Sequence, residues 1–373
     1  MAESMHVLHI YKDYPPVIGG IENHLRLLAE RQADLGLEVT VLVTSRRRST
    51  SKARENGVRV IRAGRLAEVS STPLSLAICS QLRQLSADIT HLHVPYPMGE
   101  LAHWAFGQGR ATVLTYHCDF TLQRFSGLLY RPFLRRLLRR ADRIIATSLQ
   151  YIDSSPLLRP LADKCSVVPL GTDLERWSRH TEVGVAAIRK RWSGPLVLFV
   201  GRLRHYKGLP YLIDAMQQVP ATLIVVGTGP MRGALVRQAE ASPATEKIHF
   251  LGHISDASLA DTYAAAAVLV LPSSERSEAF GTVLLEAMAS GTPVISTELS
   301  TGTSFVNRDG ETGFVVPPRN SDALARAISK LVTDPQLQQE MGVRAQSRAR
   351  LEFGVERMVE GVMEVYRAAL GLE

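Results

Sequence analysis

Short, almost wholly apolar runs, each stopped by a polar, glycine or proline loop, constrain this chain most. Val39–Val43, Pro195–Val200, Ala221–Val226 and Val268–Leu271 are of this kind. A run without polar alternation reads as a strand buried on both faces, and such strands belong to parallel sheets covered by helices. The covering helices can be found between them. After the strand His6–Tyr11 comes the loop Tyr14–Gly20, then a helix with Ile21, Leu25, Leu28, Ala29 and Leu35 on one face, ending at Gly36. Strand, glycine loop, helix and strand in this order form a βαβ unit. A length of 373 residues accommodates two α/β domains of this kind, each doubly wound.

The rest of the chain extends the alternation. Val58–Arg62, Ile89–Val94, Thr112–Tyr116 and Arg143–Thr147 are expected strands of the first domain, Leu74–Leu85 a helix, and the basic stretch Arg46–Arg54 a mobile loop. Arg176–Gly194 is polar and carries no strand pattern, which makes it the expected linker. The domains then run over 1–178 and 195–353. In the second, Ile248–Gly252, Val294–Thr297 and Gly313–Val316 are strands, Leu259–Ala266 a helix and Gly302–Glu311 a loop. Ser321–Thr333, Pro335–Phe353 and Gly354–Leu370 are helices.

Hydrophobic content of 45% with 21% charged residues describes a soluble globular chain. The net charge of +7 and pI near 9.4 suggest an anionic partner. Cys79, Cys118 and Cys165 are far apart and form no CxxC, which argues against a zinc site or disulfide framework and fits a reducing cytosol. His6, Lys12 and Asp13 surround the first apolar run, so it reads as a strand and not a signal peptide. No stretch approaches the roughly 20 apolar residues that span a bilayer.

Several loops carry chemistry. Between the strand at Val268–Leu271 and Pro293, two carboxylates call for explanation: Glu278 in a loop, Glu286 inside a helix that is apolar on nearly every face. A buried carboxylate needs a partner. The helix starts near Gly281–Thr282, and a helix start offers free N–H groups to an anion. Past the strand Pro195–Val200, Arg202 and Lys207 lie between Gly201 and Gly208, five positions apart, and two such cations can clamp a diphosphate. Gly19 and Gly20 open the first helix, where paired glycines let backbone approach a phosphate. Gly227-Thr228-Gly229-Pro230 fails as a dinucleotide fingerprint, because Gly233 comes one position late, and reads as a mononucleotide loop. His117 follows a parallel strand at the end where open α/β sheets place ligands. Finally, Phe125–Ile145 is strongly amphipathic. Arg131, Arg135, Arg136, Arg139, Arg140 and Arg143 are expected on one half of a helix, opposite Phe133, Leu134, Leu137, Leu138 and Ala141. No acid lies between Arg131 and Ala141, so this face can meet anionic lipid headgroups. Nucleic acid is disfavoured, since aromatic interleaving and a known binding fold are missing.

The two glutamates separated by seven residues, with Phe280-Gly281 after the first, resemble the donor-site motif of the retaining GT-B glycosyltransferases, and the surrounding words resemble family 4. The resemblance spans nearly the whole chain and is densest in the second half. It implies two Rossmann-like domains facing across a cleft, with residues 354–373 crossing back to the first domain. It implies that Glu278 contacts the donor sugar and Glu286 the nucleotide ribose, while the helix start at Phe280, Gly281 and Thr282 faces the diphosphate. Arg202 and Lys207 would hold the departing phosphate. Gly19-Gly20, in a Gly-Gly-x-Glu pattern through Glu22, would lie beneath the diphosphate. His117 would reach the donor sugar, and His253 with Ile254 would lie against the base, near Gly227 and Gly229.

The implied activity is transfer of a hexose from a nucleotide-diphosphate sugar to a hydroxyl, with retention, no metal and no cofactor. An Asp-x-Asp metal handle is missing, and fixed cations can stabilise the leaving diphosphate instead. The neighbouring phrases most resemble mannosyltransferases of envelope polysaccharide pathways, so GDP-mannose and a lipid-linked or envelope glycan acceptor are expected, at the cytoplasmic face of a membrane. Glucose or N-acetylglucosamine from a uridine donor is the close second. A nucleotide-sugar epimerase or phosphorylase of the same fold, or a non-catalytic nucleotide-sugar-binding protein, are the rival classes.

Overall fold

The computed structural model describes residues 5–17, 19–69, 72–119, 126–192 and 194–372. The chain divides into two compact units. One comprises the stretch up to Leu170 and the stretch from Val355 onward; the other is Gly171–Gly354.

In the first unit the sheet order is Cys165–Val167, Arg143–Ala146, Gln108–Tyr116, Ser86–Val94, His6–Ile10, Glu38–Thr44, Val58–Ala63 and Ser51–Glu55. All neighbours are parallel except the last pair. The order reverses direction at His6–Ile10, and the crevice beside such a reversal is where open sheets bind ligands. The last helix, Val355–Leu370, packs its apolar face on this sheet. Val355, Met358, Val359, Val362, Met363, Val365 and Tyr366 join Val7, Leu28, Ile89, Val113 and Ile145 in one buried cluster.

The second unit has the order Ile248–Gly252, Thr222–Val226, Leu196–Val200, Val268–Leu271, Val294–Thr297 and Gly313–Val316, all parallel. In chain order this is 3-2-1-4-5-6, with the reversal between Leu196–Val200 and Val268–Leu271. The loops that follow these two strands carry Arg202–Gly208 and Pro272–Phe280.

Several expectations are corrected. Ser51–Glu55, overlapping the stretch Arg46–Arg54 expected as a mobile loop, is an antiparallel edge strand on Val58–Ala63. It is polar and exposed, so no apolar alternation marks it. The helix expected over 74–85 is shorter, Leu76–Leu82, because Leu74 ends a small hairpin strand, Thr72–Leu74, that contains Pro73. A helix at Pro97–Phe106, led by a proline at its start, went unread. Gly302–Val306 inside an expected loop is helical. The expected linker is not extended. Leu174–Ser178 and Glu182–Arg191 are helices of the second unit, which starts at Gly171 and not at 195. The segment is tied down by backbone: Thr181 N donates to Asp261 at 2.7 Å, and Arg189 donates to the carbonyl of Ala264 at 3.1 Å. The arginine helix is Ser126–Arg140, and Phe125 lies outside the described residues. Arg143 is not on that helix but opens the strand Arg143–Ala146. Asp142 turns the chain there and accepts from Thr112 N at 2.7 Å.

Candidate functional site

In the second unit the two loops at the sheet reversal are joined into one structure. Lys207 Nζ lies 2.5 Å from Glu278 Oε2, with both side chains buried. Ser273 Oγ donates to the same carboxylate oxygen at 2.9 Å. Ser274 N donates to Tyr206 O at 2.8 Å, and His205 Nδ1 lies 3.0 Å from Glu275 Oε1. Burial pulls the Lys207 ammonium down, but Glu278 more than reverses this and leaves it above its ordinary value. The Lys207 ammonium therefore stays charged at neutral pH. A lysine ammonium has three donors, so Lys207 can serve Glu278 and still bind a phosphate oxygen.

Two glycines make this packing feasible. Gly208 has φ +67°, and a Cβ there would lie 1.9 Å from Pro272 O. Gly227 has φ +131°, and a Cβ there would lie 2.0 Å from Gly201 O. The first brings the Lys207 loop onto the Glu278 loop. The second lays the loop after Thr222–Val226 against the loop after Leu196–Val200, with Leu203 N donating to Thr228 O at 2.9 Å beside Gly229. Arg202 is exposed and makes no ion pair among the described residues.

The helix Thr282–Ala289 starts at Gly281 as expected. Thr282 is half-buried. The Phe280 ring is buried edge-on to Phe353 at 6.1 Å, so only its backbone borders the helix start. Thr301 Oγ1 donates to Glu278 O at 2.8 Å, and Arg276 holds the carbonyls of Leu299 and Ser300, bracing the loop from below. Glu286 has a partner that sequence reading missed: Tyr263 Oη donates to its Oε2 at 2.6 Å. Burial pushes the Glu286 carboxyl up to about 7, against the Tyr263 hydrogen bond and the charges of Arg176 and Lys207. Nothing in the run around Tyr263 marks it, since its role appears only when two helices meet. His253 is exposed and Ile254 half-buried, just past Gly252, whose carbonyl accepts from Gly227 N at 2.7 Å. Arg202, Lys207, Gly227, Gly229, His253, Ile254 and Glu278 thus lie in loops that follow strands of one sheet, and Glu286 lies one turn into the helix Thr282–Ala289.

A carboxyl near 7 has a measurable consequence. A ribose diol donating to Glu286 would favour its ionised form, so nucleotide binding should expel a proton. Affinity for GDP should rise about tenfold from pH 6 to pH 8, as expected for one group titrating near 7. Glu286→Gln should flatten that rise in calorimetric titrations. The sign for folding is opposite. The raised pKa means stability falls as pH climbs from about 4.5 to about 7.

In the first unit Gly19 caps the helix Gly20–Asp34 and sits at the sheet reversal. Glu22 folds over the helix start; its Oε2 would meet a Cβ on Gly19 at 2.1 Å. His117, past Gln108–Tyr116, is buried in a group of five histidines that sequence reading missed. His9, His24, His91 and His93 are the others, all nearly inaccessible. The signal was present. His91 and His93 share one face of their strand, and His9 pairs with His91 in register on the next strand. His9, His91 and His93, and separately His24, His93 and His117, have ring nitrogens within 4.8 Å of one another. Burial holds all five below the usual histidine range, His9 at about 4 and His24 at about 3.

On the arginine helix, Arg131, Arg135, Arg136, Arg139 and Arg140 are exposed, while Leu134, Leu137 and Leu138 are buried. The Arg140 guanidinium lies 4.3 Å from the Trp104 ring centroid on the neighbouring helix Pro97–Phe106. Among the described residues no helix is long and apolar enough to cross a membrane.

Comparison with known proteins agrees with this arrangement. Residues 18–176 match the Glycosyltransferase Family 4 model, and residues 186–348 match Glycosyl transferases group 1. The chain is 37% identical to the D-rhamnosyltransferase WbpZ of Pseudomonas aeruginosa over 94% of its own length and 92% of the relative's. It is 33% identical to the O-antigen chain mannosyltransferase C of Escherichia coli, covering 98% and 99% of the two chains. The sucrose-phosphate synthase structure from Thermosynechococcus elongatus superposes with a TM-score of 0.80 at 24% identity, over 99% and 100% of the chains. On the strength of two family models and relatives matched nearly end to end, this chain belongs to the family 4 glycosyltransferases of GT-B fold.

Proposed function

We propose that the chain transfers a mannose-configured hexose from a nucleotide-diphosphate sugar, first GDP-mannose, to a hydroxyl of a lipid-linked or envelope glycan, with retention of configuration. The observation that carries this is the buried Lys207–Glu278 pair at the sheet reversal, with Arg202 exposed beside it. The two relatives are named for D-rhamnose and mannose. These sugars differ only at C6, which favours the manno configuration. Glu278 receives the sugar hydroxyls, Glu286 the ribose diol, and the start of Thr282–Ala289 the diphosphate. Lys207 and Arg202 take up the charge that develops as the sugar departs, so neither metal nor cofactor is required. In a front-face displacement, the acceptor oxygen bonds to the anomeric carbon as the carbon–phosphate-oxygen bond breaks, and the acceptor proton passes to that β-phosphate oxygen. A uridine donor carrying glucose or N-acetylglucosamine is the second reading. A panel of nucleotide sugars tests this. GDP-mannose should raise the melting midpoint more than UDP-glucose or UDP-N-acetylglucosamine, and turnover with acceptor should survive EDTA. Stabilisation by a uridine donor alone would transfer the assignment to the second reading. Loss of activity with chelator would remove the metal-free clamp.

The exposed arginines support docking of the enzyme at the cytoplasmic surface of an anionic bilayer. Each basic residue near such a surface contributes about 1 kcal/mol. Replacing Arg135, Arg136, Arg139 and Arg140 by Gln should abolish sedimentation with anionic vesicles at low salt. Melting should fall only slightly, since the loss of Arg140 from the face of Trp104 costs about 0.5–1 kcal/mol. Wild-type protein that ignores anionic vesicles at low salt would leave this face merely solvated and favour a soluble acceptor.

A further inference from the structure

Four of the five buried histidines are more than a packed cluster, because their ring nitrogens join a directed hydrogen-bond network. His117 Nε2 lies 3.0 Å from His93 Nδ1, and His93 Nε2 lies 3.1 Å from His9 Nδ1. His9 Nε2 lies 2.7 Å from Gln32 Oε1, and Gln32 Nε2 donates to Tyr366 Oη at 3.3 Å. A branch leaves Tyr366: its Oη lies 2.6 Å from His91 Nδ1, and His91 Nε2 lies 2.6 Å from Thr115 Oγ1.

A neutral imidazole carries one donor and one acceptor. One fixed end therefore sets every ring. The Gln32 carbonyl can only accept, so His9 is protonated at Nε2 and bare at Nδ1. His93 must then donate from Nε2 and accept at Nδ1, and His117 must donate from Nε2. That leaves His117 Nδ1 as a lone pair, and it is a buried nitrogen without a partner. The opposite arrangement requires the Gln32 amide turned over and every ring reversed. It would end on a buried, unpaired N–H at His117, which is the costlier orphan. The branch agrees with the first arrangement. Tyr366 accepts from Gln32 and donates to His91 Nδ1, and His91 donates to Thr115.

We propose that His93, His9, Gln32 and Tyr366 are positioning residues that lock His117 in its Nε2–H tautomer, so that its Nδ1 meets a substrate hydroxyl as a bare hydrogen-bond acceptor. That Nδ1 faces substrate rests on the reading of His117 given above. The lock itself does not. A consequence is that the last helix acts on His117 through Tyr366, although the two are far apart in sequence. A metal on His24, His93 and His117 is the competing reading, since both His24 nitrogens are also unpartnered. It would have to break the 3.0 Å His93–His117 contact, and both His93 nitrogens are already engaged.

The test is proton-detected NMR of imidazole nitrogens in the full chain labelled with 15N-histidine, assigned by single His→Gln variants. His117, His93 and His9 should each show a protonated Nε2 and a bare Nδ1, unchanged between pH 6 and pH 8. Gln32→Leu should give mixed tautomers at all three, and Tyr366→Phe, which removes one hydroxyl, keeps the test usable if Gln32→Leu does not fold. Both variants should lower kcat/KM about tenfold while the GDP affinity stays unchanged. A proton on His117 Nδ1, an imidazolium, or unchanged tautomers in both variants overturns the proposal. So does a stoichiometric shift of His24, His93 and His117 on adding zinc. The tautomers are read without donor or turnover, so a chain inactive towards every nucleotide sugar would sink the proposed reaction and leave this result standing.

Discussion

Arg202→Ala is expected to turn the donor over roughly 100- to 1,000-fold more slowly than the wild type and to melt at the same temperature. The two halves of this result come from one observation. Arg202 is exposed and unpaired among the described residues, so its loss leaves nothing uncompensated in the fold, and such surface changes stay within about 0.5 kcal/mol. On the proposed mechanism its charge matters only when a diphosphate departs. Lys207 differs, because truncating it strands the Glu278 carboxylate in a buried site. Breaking such a pair costs about 3–5 kcal/mol, so Lys207→Ala should lose activity and stability together and cannot separate them. Lys207→Met combined with Glu278→Gln removes both charges at similar volume. It should recover most of the melting midpoint lost in Lys207→Met alone and still show no turnover. Single-turnover assays with thermal melts on all four proteins decide this. An Arg202→Ala enzyme within threefold of wild-type turnover would remove Arg202 from the clamp.

Ending the chain at Gly354 should unfold the first unit and spare the second. The helix Val355–Leu370 buries seven apolar or aromatic side chains in the cluster around Val7, Leu28 and Ile89. At about 1.5–3 kcal/mol per buried side chain, this amounts to roughly 10–20 kcal/mol as an upper bound. That equals or exceeds the about 5–15 kcal/mol that holds a domain folded. The second unit loses no element. The truncated chain should show one surviving thermal transition, stabilised by GDP, with rapid amide exchange at His6–Ile10 and Ser86–Val94. Native-like protection of those strands would show that the sheet does not depend on its last helix.

These elements also show what the sequence made legible. Glu278, Glu286, Arg202 and Lys207 could be placed because each stands at a fixed distance past a buried strand, and the end of a strand fixes the position of its loop. The strands were readable because both faces are buried. What stayed hidden depends on contacts between elements. Tyr263 is an ordinary helical tyrosine until the helix of Glu286 lies beside it. Gln32 and Tyr366 hold polar roles on helix faces that read as core. His91 and His93 were visible as a pair, but their meaning needed His9 on the adjacent strand. The segment taken for a linker formed helices because Asp261 and the carbonyls of Ala264 and Ala265 hold it, and none of these is near it in sequence.

The strand Ser51–Glu55 closes one margin of the first sheet with Lys52 and Arg54 exposed. An unpaired strand margin invites another chain to add to it, and charged residues, lysine above all, deter that addition. The outermost position is therefore occupied by a strand too polar to recruit a partner. Behind it lie Val58–Ala63, Glu38–Thr44 and His6–Ile10, whose buried apolar residues an added strand would otherwise extend. A polar edge strand thus deters strand addition to a sheet whose inner strands are largely buried.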